Sequence, residues 1–231
     1  MKKRGVAIIT AVVLVGAAAA AEVWQIAAGG ADAAQTPSVA AAPAVSGNIP
    51  AGAQHFAIDP QASEASYHVG ETFFEDNEFK VAVGVTHGIQ GDLYVDRVHP
   101  DLSRVGPITV NVNEFTSDSR RRDNAIRRRW LESDTYPTAV FTPSSIEGLP
   151  KTYTAGQAIR VRVAGTLTVR NVTKPVVFAG TLRLSGNVLT GNMETTVLMT
   201  DFAFDPPSIM ILKTENKATL DLLFTARPAA E

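Results

Sequence analysis

Ile159-Arg-Val-Arg-Val163 alternates apolar and charged residues one for one, and Leu167 and Val169 keep the same parity across Gly165. A β-strand sends successive side chains to opposite faces, so such a run has one buried and one wet face. A helix would scatter the same valines around its circumference. The pattern recurs. Ile108–Asn113 is apolar at 108, 110 and 112; Val176, Phe178, Leu182 and Leu184 form another stripe; Leu220, Leu222 and Phe224 share a face. Val81, Val83 and Val85 alternate within Lys80–His87, Phe56–Ile58 and Ala65–Val69 read as shorter strands, and Ser185-Gly186-Asn187 supplies a tight turn before Val188. Roughly seven to nine strands of this kind, joined by short turns, predict an all-β antiparallel sandwich or barrel over residues 55–228.

One stretch interrupts the strands. Asp118–Pro137 reads DSRRRDNAIRRRWLESDTYP. Ser117, Asp118 or Ser119 can cap a helix, Pro137 stops it, and Ile126 and Trp130 lie four apart on one face. The spacing predicts one short helix around 119–133, laid against the β-structure. Its six arginines meet Asp118, Asp123, Glu132 and Asp134, and the whole chain carries a net charge of -2. A nucleic-acid binder normally shows a strongly basic domain, so these arginines read as a solvated or salt-bridged face.

The amino terminus points to export. Lys2, Lys3 and Arg4 precede an uncharged run from Gly5 to Ala21. Residues 1–28 therefore read as a hydrophobic helix, either a signal peptide or a membrane anchor with Trp24 at the interface. Residues 29–54, rich in Ala, Pro and Gly, read as a disordered linker. The expected location is the cell envelope, held to the membrane and facing outside the cytoplasm, or periplasmic or secreted after cleavage.

Motifs for chemistry are missing. With no cysteine there is no thiolate nucleophile or ligand. His55, His68, His87 and His99 lack metal-ligand spacing, so no metal site is expected. Asp201 and Asp205 flank Phe202-Ala-Phe204, weak evidence for acid–base work. Asn171-Val-Thr173 before Pro175 is simplest as turn chemistry. The expectation is a binding protein, not an enzyme, with no cofactor beyond a bound apolar molecule. A barrel of about eight strands holds either side chains or one small ligand. The inward stripes nominate Val110, Val161, Val163, Phe178, Leu182, Leu198 and Leu222 as an apolar channel lining. The alternative is a structural or interaction domain whose barrel is filled by its own side chains.

Phe56-Ala-Ile-Asp59, Arg122-Asp123 with Ile126, Tyr136-Pro137 before Phe141, and Gly165-Thr-Leu-Thr-Val-Arg-Asn-Val-Thr-Lys-Pro-Val176 resemble, in order, the motifs of the YceI-like family of bacterial envelope proteins. The resemblance implies an extended lipocalin-like barrel whose long apolar channel holds a polyisoprenoid or similar lipid, such as an isoprenoid quinone. It places the arginine-rich helix as an excursion before a Thr138–Ile146 strand. Arg122 is the candidate for meeting an anionic head group. Ala65-Ser-Tyr-His68-Val-Gly-Glu matches the family's early strand loosely, Asp201-Phe202-Ala203 replaces an Asp-Phe-Gly element, and Glu71-Thr-Phe-Phe-Glu-Asp-Asn77 is an expanded segment expected near the barrel mouth.

Overall fold

A computed structural model describes residues 49–229. The expected N-terminal helix and nearly all of the linker lie outside the described residues. The strands are β1 (Gln54–Ile58), β2 (Glu64–Phe73), β3 (Phe79–Thr86), β4 (Ile89–Val95), β5 (Arg104–Asn111), β6 (Thr138–Glu147), β7 (Ala158–Val169), β8 (Val172–Ser185), β9 (Val188–Leu198), β10 (Ser208–Ile209) and β11 (Leu212–Pro228). All pair antiparallel. β1 and β2 follow one another along β11, and β3 and β4 follow one another along β2 and β1. Counting each of those pairs as one line, the sheet closes into an eight-stranded up-and-down barrel whose neighbours are consecutive in sequence. β4 closes the ring onto β5, while the outer side of β3 meets the chain beyond β5 through the single bridge of Val85 to Thr116.

The break between β1 and β2 has a local cause. Pro60 cannot donate to a ladder, and the Asp59 carboxylate accepts from the Gln61 N–H at 3.1 Å, turning the chain through one 3₁₀ turn. The seam to β11 holds across it: the Asp59 N–H donates to the Thr225 carbonyl at 2.8 Å, and the Ser63 hydroxyl accepts from the Thr225 N–H at 3.0 Å.

Strand alternation sets what faces inward. On β7, β8 and β11 the stripes face the interior, with Val161, Val163, Leu167, Phe178, Leu182, Leu184 and Phe224 buried. On β3 the period is as expected and the face is reversed. Val81 is 51% exposed, while Ala82, Gly84 and Thr86 are buried. The Tyr67 ring of β2 occupies the space over Gly84, where any Cβ would collide with it, and Phe115 packs edge-on to Tyr67 at 5.3 Å. Small residues must therefore face in there. β4 was not legible in the sequence: Ile89, Leu93 and Val95 keep one parity, but Gly91 interrupts the stripe where Ile108 of β5 packs against the backbone.

The excursion between β5 and β6 begins with α1 (Arg120–Ala125), capped by the Ser119 hydroxyl, which accepts from the Arg122 N–H at 3.3 Å. A wider π turn, Ile126–Trp130, follows and closes with the Leu131 N–H on the Ile126 carbonyl at 2.8 Å. The helical stretch so stops at Trp130, short of the expected 133.

The barrel's two ends differ. At the end where β1 begins, Phe56, Leu93, Leu182, Leu184 and Leu189 pack together, leaving a gap of about 60 Å³. The Tyr153 hydroxyl seals that end by accepting from the Leu184 N–H at 2.8 Å. The other end carries the 74–78 turn, the helical excursion, the Arg170-Asn171 turn and the 199–211 segment.

Candidate functional site

Beneath the helical excursion the barrel is hollow. A cavity of about 480 Å³ is walled by Val110, Leu167, Phe178, Leu220 and Leu222 and roofed by Ile126, Trp130 and Phe204. Its floor is an edge-to-face pair, Phe141 and Phe178, with ring centroids 4.9 Å apart. Below the floor the side chains are packed.

Of the residues nominated from sequence, Val110, Phe178 and Leu222 line this cavity. Val161, Val163 and Leu182 are buried in the packed half and do not reach it. Leu198 is a correction: it is 44% exposed. On β9 the buried positions are Leu189, Gly191, Met193 and Thr195, so Val197 continues that parity into the cavity and Leu198 points outward. Sequence reasoning missed Tyr67, Phe115 and Ile211 as wall residues. Tyr67 belongs to the β2 stripe of odd positions with Val69 and Phe73; its partner Phe115 lies in irregular backbone, where periodicity carries no signal.

Arg122 also lines the cavity, among polar groups. Its Nε and Nη2 donate to the two carboxylate oxygens of Glu71 at 3.3 and 2.9 Å. Its Nη1 donates to the Ser117 hydroxyl at 3.2 Å and to Asp118. The Ser117 hydroxyl in turn donates to the buried Asp123 at 2.6 Å. Burial works against the Arg122 charge, but the bonds to Glu71 and Asp118 outweigh it and raise its pKa. Burial likewise pushes the Tyr67 phenol up to about 12, with the Arg122 charge working against that shift.

Arg170 fastens the roof. It sits in the left-handed region, φ 56°, at the β7–β8 turn. Its Nη1 donates to the Trp130 carbonyl at 3.1 Å, its Nη2 meets Glu132 at 3.0 Å, and its guanidinium lies over the Phe204 ring, 5.3 Å from the centroid. The Trp130 indole donates to the Asp205 carbonyl at 3.2 Å. One arginine thus joins the excursion to the 199–211 segment.

Among the described residues no group of three or more His, Asp or Glu is placed to hold a metal ion. His68 meets Asp221 at 3.2 Å, and His87 Nδ1 lies 2.7 Å from the Ser63 carbonyl. Among the described residues no helix is long and apolar enough to cross a membrane.

Comparison with known proteins gives a consistent result. The family model described as "YceI-like domain" matches residues 56–226. A UPF0312 protein of Yersinia enterocolitica is 28% identical over 105 residues, which cover 45% of this chain and 50% of that protein. The match therefore spans about half the length of that curated relative. Among solved structures, BcnA of Burkholderia cenocepacia superposes with a TM-score of 0.57 at 16% identity, covering 73% of this chain and 98% of that one. A polyisoprenoid binding domain from Saccharophagus degradans, implicated in plant cell wall breakdown, superposes with a TM-score of 0.56 at 12% identity, covering 75% and 98%. These structures share the fold. With a family model matching most of its length, the chain belongs to the YceI-like domain family.

Proposed function

We propose that the barrel binds one long apolar lipid, a polyisoprenoid or an isoprenoid quinone, as a non-catalytic carrier or store in the cell envelope. The observation that carries this reading is the uneven filling of the barrel: one half is packed by its own side chains, and the other holds a cavity of about 480 Å³ with an almost wholly apolar wall. That volume falls within the ~300–1,000 Å³ typical of small-molecule sites. An apolar wall recognises its ligand by shape and by release of water, which needs no motif. The fold shared with a domain described as polyisoprenoid-binding supports the same ligand class.

Residues 1–28 would direct export or hold the chain to the membrane, and residues 29–54 would tether the barrel. Val110, Phe178 and Leu222 form the lipid contact in this proposal. Arg122 borders it, but Glu71 and Asp118 already neutralise its charge, so a neutral polar head or none suits the wall better than a phosphate.

Trp130 reports on the proposal. It lines the cavity, and the chain's other tryptophan, Trp24, is absent from a protein comprising residues 49–231. Titrating a long polyprenol into that protein should change Trp130 fluorescence saturably, at one lipid per barrel. A signal that stays flat, or that rises without saturation, would refute the proposal.

A further inference from the structure

Two adjoining turns at the cavity's rim expose apolar side chains. The β2–β3 turn presents Phe74 and Phe79, and the β10–β11 turn presents Ile209 and Ile211, each about half exposed, with Met210 between them 97% exposed. The turns are tied together: the Phe74 N–H donates to the Ile211 carbonyl at 2.9 Å. Single exposed apolar residues are ordinary, but a contiguous patch marks an interaction surface. Ile209 and Ile211 are also part of the cavity wall. The same side chains so face the ligand space and the solvent.

We propose that this rim inserts into the surface of a lipid bilayer, so that a ligand moves between bilayer and cavity along continuous apolar surface. The inference rests on the lipid-binding reading above. Charge beside the patch supports it. Arg120 and Arg121 are exposed, form no ion pair among the described residues, and Arg121 borders the cavity, as suits anionic head groups. Glu75, Asp76 and Glu78 on the β2–β3 turn oppose this, although Glu78 is paired with Lys80 at 2.7 Å. Attachment is therefore led by apolar insertion of Ile209, Met210 and Ile211.

The length of chain preceding the barrel permits the orientation. β1 starts at the packed end, opposite the rim. β11 has 17 residues; at ~3.3 Å per residue and a tilt of ~40°, the barrel is roughly 43 Å tall. A chain of the length of residues 29–53 can reach at most roughly 80–90 Å, about twice that height. A chain held at the membrane by residues 1–28 can so bring its far end down onto the same bilayer.

Vesicle flotation tests this. The protein comprises residues 49–231, because the N-terminal apolar run would hold vesicles by itself, and the closed barrel with its core lies within 54–228. The vesicles are phosphatidylcholine mixed with phosphatidylglycerol. The unsubstituted barrel should float with them, and Met210→Asp should reduce partitioning roughly tenfold or more, the scale of one buried methionine side chain. Polyprenol affinity read from Trp130 in vesicle-free solution should not change. An unsubstituted barrel that stays in the buffer, or a Met210→Asp variant that floats equally well, would overturn the proposal. So would a dimer that Met210→Asp splits into monomers, since the rim would then be a self-association surface. Loss of polyprenol binding in solution would instead strike the lipid-binding reading, which flotation does not measure.

Discussion

Arg122 of α1 grips Glu71 of β2 with two nitrogens, at 3.3 and 2.9 Å, inside the wall of a mainly apolar cavity. This pair anchors the helical excursion to the barrel. Arg122→Ala leaves the Glu71 carboxylate buried without a partner and should cost about 3 kcal/mol in urea unfolding. Adding Glu71→Gln should recover part of the loss. If Arg122 met a lipid phosphate, Arg122→Ala would weaken a phosphorylated isoprenoid and spare the matching alcohol. Because Glu71 and Asp118 already hold the guanidinium, both affinities should change together.

Leu222 walls the deep end of the cavity, the lining residue of β11 farthest from the rim. Leu222→Trp should place a larger ring in that space and abolish saturable polyprenol binding. Overpacking carries a stability loss of about 1–3 kcal/mol, so the barrel should still melt cooperatively. The variant carries a second tryptophan, so binding is read here by solvent extraction of co-purified lipid.

Leu182 and Leu198 lie on neighbouring strands with opposite fates, one in the packed half and one 44% exposed. Leu182→Ala should destabilise by about 2–4 kcal/mol. Leu198→Ala should fall within about 0.5 kcal/mol of the parent. Denaturant midpoints at unchanged slope decide both.

The Tyr67 phenol, pushed up to about 12 by burial, sets an alkaline limit. The folded state holds this proton more tightly than the unfolded chain, whose tyrosine titrates near 10. Stability from Tyr67 is therefore complete below pH ~10 and lost as pH rises toward ~12, by roughly 2–3 kcal/mol. Tyr67→Phe should flatten that decline; an unchanged slope in pH-dependent unfolding would contradict the assignment.

Ala203 adopts a left-handed conformation, φ 57°, where the expected family motif carries glycine. The strain of a Cβ there, about 1–2 kcal/mol, exceeds the entropy glycine adds to the unfolded chain. Ala203→Gly should raise stability by roughly 0.5 kcal/mol, visible as a higher melting temperature.

Strands such as β7, β8 and β11 were legible because their inward positions are the apolar ones, and the ring order then follows from short connections. β3 misled because the interior at Gly84 is filled from the neighbouring strand by Tyr67, which displaces large residues to the outer face. Leu198 misled because it follows an odd-position stripe that runs through Gly191 and Thr195, residues that do not read as apolar. The helix was legible from its Ser119 cap and from Ile126 and Trp130, which both reach the cavity roof. The division into a packed half and a hollow half was not. It depends on which inward residues meet across the barrel, as Phe141 and Phe178 do, and pairing over that distance leaves no local pattern.

Lipid occupancy is tested most directly by native mass spectrometry of residues 49–231, purified without detergent and then extracted with organic solvent. A stoichiometric adduct that extracts as an isoprenoid or quinone is the predicted result. A bare mass that stays bare after incubation with such lipids would contradict it and leave the barrel as a scaffold for contacts on its outer surface.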